Sequence, residues 1–153
     1  MARMSEGAGR ARMEAACYRK LHRYKYQLME PYVHDIQVRG YAVETPYLAL
    51  EASGQLEIKR TYAWDGPSGP TRDTCDFMRG SLVHDAIYQL IRMEVLPRSC
   101  RQHADRLLRT VCQADRMGKL RSWIVYFAVR WFGGSSARPG TEKPDPIICA
   151  PPS

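Results

Sequence analysis

Residues 64–76, WDGPSGPTRDTCD, divide the chain into two textures and constrain its fold more than any other stretch. Their Gly, Pro, Ser and Asp residues favour turns and interrupt regular pairing, so the segment reads as a loop of fixed form. Before it, short apolar–polar alternations fall at 24–29, 32–38, 47–51 and 55–62. A period of two marks half-buried strands, and Ala52-Ser53-Gly54 fits a hairpin loop between the last two. After the loop the period becomes helical. Leu82, Val83, Ala86, Ile87, Leu90 and Ile91 recur at three and four from a start near Gly80-Ser81, with Pro97 beyond the end. A second helix follows Ser99 as N-cap, with Ala104, Leu107, Leu108, Val111 and Cys112 as its apolar stripe, and stops near Gly118. The third, 120–132, is apolar nearly all round and reads as the buried helix of the core.

This pattern predicts one α+β domain over residues 17–133, a small antiparallel sheet followed by three helices. Residues 1–16 read as a flexible tail and 134–153 as a Pro- and Gly-rich tail. With 44% apolar and 25% charged residues, the chain has the means to fold around a core. Its longest apolar run, 123–129, is too short for a transmembrane helix, and no signal-peptide pattern opens the sequence. Synthesis in a host cytoplasm is the expectation. Five cysteines without a CxxC pair or a zinc-module spacing read as reduced thiols.

The formal charge of +7 favours anionic surfaces, among them anionic lipid and the bacterial envelope. Helix-turn-helix, finger and RRM signatures are absent, which disfavours nucleic acid. Trp123, Tyr126, Phe127 and Trp131 read as core rather than as a stacking platform. A Walker loop, a GxSxG elbow and paired carboxylates at glycosidase spacing are likewise missing, which disfavours nucleotide hydrolysis and serine-esterase chemistry.

Chemistry concentrates in three places: the Gly66–Gly69 loop, the helix motif His84-Asp85-Ala86-Ile87-Tyr88, and Asp105. His84 and Tyr88, at i and i+4, share a helix face, while Asp85 points about 100° away. The short connection predicts an antiparallel pair of helices, which sets Asp105 opposite the middle of the first. A carboxylate there could hold one ring nitrogen of His84 and leave the other to take a proton from water. Asp85 beside loop carbonyls could serve a hard cation such as Ca²⁺. The plainer alternative has Asp105 capping its helix or pairing with Arg106, Arg101 or Arg72 while Tyr88 only packs. A transition-metal set of His84, Asp85 and His103 is a further alternative. His34-Asp35 reads as solvent-facing, and His22 lies among basic residues.

Two resemblances bear on these residues. Residues 54–133, carrying YAWDGPSGP at 62–70, SLVHDAIYQL at 81–90, ADRLL at 104–108 and AVRWFG at 128–133, resemble an uncharacterised family of short bacteriophage and prophage proteins, the DUF1353-like family. That resemblance implies phage or prophage origin and assigns no activity. More locally, the HDxxY helix, with a Gly-containing loop upstream and an aspartate helix downstream, is similar to phospholipase A2 active sites. The likeness implies His84 as general base, Asp105 as its orienting partner, Tyr88 in support, and Ca²⁺ held by Asp85, Gly66 and Gly69.

The expectation is therefore a phage protein with a metal-assisted lipid ester hydrolase site acting at the bacterial envelope. Two alternatives stand beside it. One is a non-catalytic virion, tail or accessory protein, partnered by other virion proteins, in which His and Asp form a structural network. The other is a zinc-dependent cell-wall hydrolase.

Overall fold

The computed structural model describes residues 18–20, 25–67 and 73–141. Among the described residues, the alternating half forms seven short strands in two antiparallel sheets. In the first, β1 (Tyr18–Lys20), β2 (Tyr26–Leu28) and β7 (Ala63–Trp64) lie in the order β1-β2-β7. The second contains β3 (Tyr32–Asp35), β4 (Val43–Glu44), β5 (Leu48–Leu50) and β6 (Gln55–Ile58), in the order β3-β6-β5-β4. Leu48 pairs with Ile58 and Leu50 with Leu56, which puts all four side chains on the buried face, while Ala49 and Glu57 turn away from it. The turn at 52–54 closes this hairpin, with Gly54 at φ +88° and its N–H donated to the Glu51 carbonyl.

The helical half contains α1 (Cys75–Arg92), α2 (Cys100–Ala114) and α3 (Lys119–Phe132). The first begins about five residues before the expected start at Gly80-Ser81. Thr74 is extended at its N-cap, and Asp76 in the first turn complements the helix dipole. Gly80 lies inside α1 at the place where α2 crosses it: a Cβ there would sit 2.7 Å from Cys112 Sγ and 3.0 Å from Leu108 Cδ1. The absent side chain is thus a close-approach device and not a helix boundary. Ser99 does occupy the N-cap position of α2, although its side chain makes no capping hydrogen bond. That helix ends at Ala114, short of Gly118.

Helix α1 is the central element. Both sheets and α2 pack around it, with Leu28, Ile36, Leu56, Ile58, Leu82, Ile87 and Leu90 in one continuous core. Small residues on α1, Gly80, Ser81 and Ala86, let neighbours approach it from several sides, and it is buried nearly all round.

The reading of α3 as the buried core helix is overturned. Only Ser122 and Val125 of α3 are buried, whereas Leu120, Trp131 and Phe132 are each more than three-quarters exposed, at 77%, 77% and 78%. Trp123, Ile124 and Phe127 are exposed as well. With the central place taken by α1, α3 finds only the flank of α1 and α2, where Val125 joins Phe77, Leu108, Cys112 and Met117 in a smaller cluster. Beyond α3 the chain turns back onto the body. Ala137 is fully buried in the main core and the Ser136 carbonyl accepts a hydrogen bond from Arg92.

Candidate functional site

Helices α1 and α2 run antiparallel, because Gly80 meets Leu108 and Cys112 at one end while Tyr88 meets Asp105 and Arg101 at the other. That arrangement brings His84 to Asp105. His84 Nε2 lies 2.9 Å from Asp105 Oδ1, and the same oxygen accepts a 2.7 Å hydrogen bond from the Tyr88 hydroxyl. A carboxylate can only accept, so Nε2 carries the hydrogen and the neutral ring has its lone pair on Nδ1. Asp105 is fully buried. Its second oxygen takes a 2.9 Å hydrogen bond from Arg130 Nη1 on α3, which completes a three-donor cage around the charge.

On the other side of the ring, Nδ1 stands 3.6 Å from Asp85 Oδ1, a charge contact too long for a direct hydrogen bond. Asp85 has no other hydrogen bond or ion pair among the described residues. Burial disfavours the His84 imidazolium, but the carboxylates of Asp105 and Asp85 outweigh it and raise the pKa above its ordinary 6.5. For Asp105 burial pushes upward, while the bonds from His84, Tyr88 and Arg130 win and hold its pKa below the ordinary carboxylate value. Burial and the neighbouring Asp105 carboxylate push the Tyr88 hydroxyl well up, so it stays a donor at any ordinary pH.

His84, Asp85 and Tyr88 line a cavity of about 340 Å³ with Gly66 and Pro67 of the loop, Phe77 and Ser81 of α1, and Val129 and Phe132 of α3. This volume is in the range of small-molecule pockets, and a mainly apolar wall with a few convergent polar groups is their common chemistry. The loop is fixed at its near end. Trp64 Nε1 donates to Ser81 Oγ at 3.3 Å, and Gly66 has φ +70°. A Cβ on Gly66 would lie 2.5 Å from Tyr26 Cε2, so the packed ring as well as the backbone requires glycine there. The Tyr26 hydroxyl in turn donates to Asp73 just ahead of α1.

The residues singled out in the sequence therefore meet as follows. His84, Tyr88 and Asp105 form one bonded group, and Asp85 and Gly66 share the cavity wall. Gly69 and Arg72 lie outside the described residues. Arg106 is exposed and does not reach Asp105. Arg101, weighed as an ion-pair partner of Asp105, instead donates to the Tyr88 hydroxyl at 3.1 Å and to the Val129 and Arg130 carbonyls at 3.0 and 2.5 Å, capping the C-terminal end of α3. The ion-pair partner is Arg130, which sequence reasoning missed. It stands 25 residues from Asp105 on a helix otherwise read as apolar core, so no local pattern joins the two.

His103 does not turn toward His84. Its Nε2 is 2.7 Å from the Ile36 carbonyl oxygen. Among the described residues no group of three or more His, Cys, Asp or Glu side chains converges in a way that could hold a metal ion. His34 stacks on Tyr32, and Asp35 pairs through both oxygens with Arg39 at 2.7 and 3.0 Å. Compared with known proteins, the chain matches no family model, no curated protein and no solved structure.

Proposed function

We propose that this chain is an ester hydrolase of phospholipase-A2-like chemistry, a phage product acting on lipid at the bacterial envelope. The observation that supports this reading is the His84–Asp105 pair on the wall of an apolar cavity, with Asp85 beside the free ring nitrogen. In the mechanism, His84 Nδ1 accepts a proton from a water molecule as its oxygen bonds to the acyl carbon of the ester. Asp105 holds the Nε2–H tautomer and stabilises the imidazolium that forms. Collapse of the tetrahedral intermediate breaks the acyl carbon–oxygen bond, and the proton passes from His84 to the leaving alkoxide. Tyr88 and Arg130 keep Asp105 ionised and fixed.

Charge on the ester oxygen needs a partner, and Pro67 has no N–H to offer. Bound Ca²⁺ would supply that stabilisation, with the Asp85 carboxylate and backbone carbonyls of the Gly66 loop as oxygen ligands, joined by Gly69. Asp85 fits such a role because its carboxylate faces the cavity wall with only the long contact to His84. Three described carboxylate, thiolate or imidazole ligands do not meet there, so the cation would depend on carbonyls and water.

A second reading has its own support. Asp105 is fully sealed and neutralised by Arg130, as expected of a structural network in a non-catalytic virion or accessory protein. The experiment that separates the two measures fatty-acid release from anionic phospholipid vesicles with Ca²⁺ and with chelator, for the native chain, His84→Gln and Asp85→Asn. The hydrolase reading expects Ca²⁺-dependent release reduced about 10² to 10⁴-fold in His84→Gln, a rate that rises with pH through a pKa above 6.5, and a raised Ca²⁺ requirement in Asp85→Asn. Equal background release from native and His84→Gln protein, with a lowered melting temperature, would leave the structural reading.

A further inference from the structure

Among the described residues, the outward side of α3 gathers most of the large exposed apolar side chains. Leu120, Trp123, Ile124, Phe127 and Trp131 fall at i, i+3, i+4, i+7 and i+11 and form one stripe, all exposed. Their rings are organised: Trp123 stacks on Phe127 at 5.5 Å between centroids, Phe127 lies 6.0 Å from Trp131, and the Arg109 guanidinium covers Trp123 at 3.6 Å. Exposed apolar surface of this size and continuity marks an interaction site.

The charge along this stretch favours one occupant. Residues 117–141 contain Lys119, Arg121, Arg130 and Arg138 and no Asp or Glu. Lys119 and Arg138 are exposed and have no ion pair among the described residues. A second copy of the chain fits poorly, because a two-fold contact would set these cations against their own copies with no acid on the stretch to meet them. Single-stranded nucleic acid fits poorly too. The rings stack on one another instead of standing apart to receive bases, and Leu120 and Ile124 protrude between them. An anionic bilayer satisfies both halves of the surface. Tryptophan and aliphatic side chains enter the headgroup–acyl boundary while Lys and Arg meet phosphates. At about 21 Å for 14 residues α3 is suited to lie in that boundary, and no described helix is long and apolar enough to cross it.

We infer that the exposed face of α3 is a docking surface for anionic phospholipid bilayers, with Leu120, Trp123, Phe127 and Trp131 entering the interface and Lys119 and Arg138 contacting headgroup phosphates. This surface is distinct from the His84 cavity, though Phe132 at its edge lines the cavity wall. The inference rests on the chemistry of α3 and of Arg138 just beyond it, and stands or falls apart from the catalytic reading.

The test is binding without turnover. The full chain in chelator is mixed with vesicles of phosphatidylcholine alone or with an equal part of phosphatidylglycerol, and followed by co-sedimentation and tryptophan emission. The expected result is a blue shift and sedimentation with the anionic vesicles, weakened by salt and at least about tenfold weaker with phosphatidylcholine alone. The double variant Leu120→Ser/Trp131→Ser loses about tenfold or more in apparent affinity. Lys119→Glu/Arg138→Glu, which leaves the apolar residues in place, loses affinity and salt dependence together, and keeps the test decisive if the first variant unfolds. The inference is overturned by absence of binding to anionic vesicles or by binding that neither double variant weakens. A concentration-dependent dimer that buries Trp123 and Trp131, or an oligonucleotide that binds through the same residues more tightly than the vesicles, overturns it as well.

Discussion

Arg130 Nη1 lies 2.9 Å from Asp105 Oδ2, joining α3 to a fully buried carboxylate that also receives His84 and Tyr88. The exposed helix is thereby tied to the cavity wall through a charge. Arg101 reinforces the join from α2, since it bonds both the Tyr88 hydroxyl and the last carbonyls of α3.

Asp105→Asn replaces an acceptor-only carboxylate with a group whose amide faces a donor, so one of the three partners loses its bond. The expected loss is about 2 to 3 kcal/mol, against about 1 to 2 for His84→Ala, which leaves Asp105 bonded to Tyr88 and Arg130. Chemical denaturation of the two variants beside the native chain measures the difference. Similar losses in both would show that the Arg130 and Tyr88 bonds add little.

The pair also sets a pH window for stability. Asp105 is held below its ordinary 3.8, so its contribution is present above that pH and is lost as pH falls through the folded value. His84 is raised above 6.5, so its contribution is fully present below 6.5 and is lost as pH rises through the folded value. The network therefore stabilises most between these limits. Melting temperature followed across pH should decline on the alkaline side with a component missing from His84→Gln.

Gly80→Ala sets two terms against each other. Alanine gains about 1 kcal/mol of helix propensity, but its Cβ would stand 2.7 Å from Cys112 Sγ, and overpacking costs about 1 to 3 kcal/mol. The clash should win, with a net loss of about 1 kcal/mol. In a Cys112→Ala background the same substitution should cost less, since the closest contact is gone while Leu108 Cδ1 and the Leu108 carbonyl oxygen remain at 3.0 and 3.2 Å, and a double-mutant cycle by urea unfolding reads the coupling.

Thiol reactivity should follow burial. Cys75 is exposed, whereas burial, helped by the carboxylates of Asp115 and Asp76, pushes the Cys112 thiol up to about 12. With a maleimide at neutral pH, peptide mapping should find Cys75 labelled rapidly and Cys112 unlabelled until the chain unfolds. Labelling of both at comparable rates in the folded protein would contradict the packing of α1 on α2.

The division of the chain at residues 64–76 was legible because turn chemistry and hydrophobic period are properties of neighbouring residues. The same local logic put His84 and Tyr88 on one face of α1. It also set Asp105 opposite them, since a short connection leaves two helices few ways to pack. Local pattern failed to rank α1 and α3, because it read α3 as the buried core helix and that place belongs to α1. Both are rich in apolar residues, and periodicity cannot say which of two such helices the sheets will surround. The small residues of α1 at Gly80, Ser81 and Ala86 admit neighbours on several sides, so α1 was enclosed and α3 was left with Val125 and Ser122 as its buried points. The Arg130–Asp105 bond and the packing of the Tyr26 ring against Gly66 belong to the same category. Each depends on a partner distant in sequence, Asp105 for the one and the Tyr26 ring for the other, which only packing brings into contact. Sequence by itself determined the elements and the chemistry available on each face. Tertiary structure decided burial, because burial is a competition among all apolar surfaces of the chain at once.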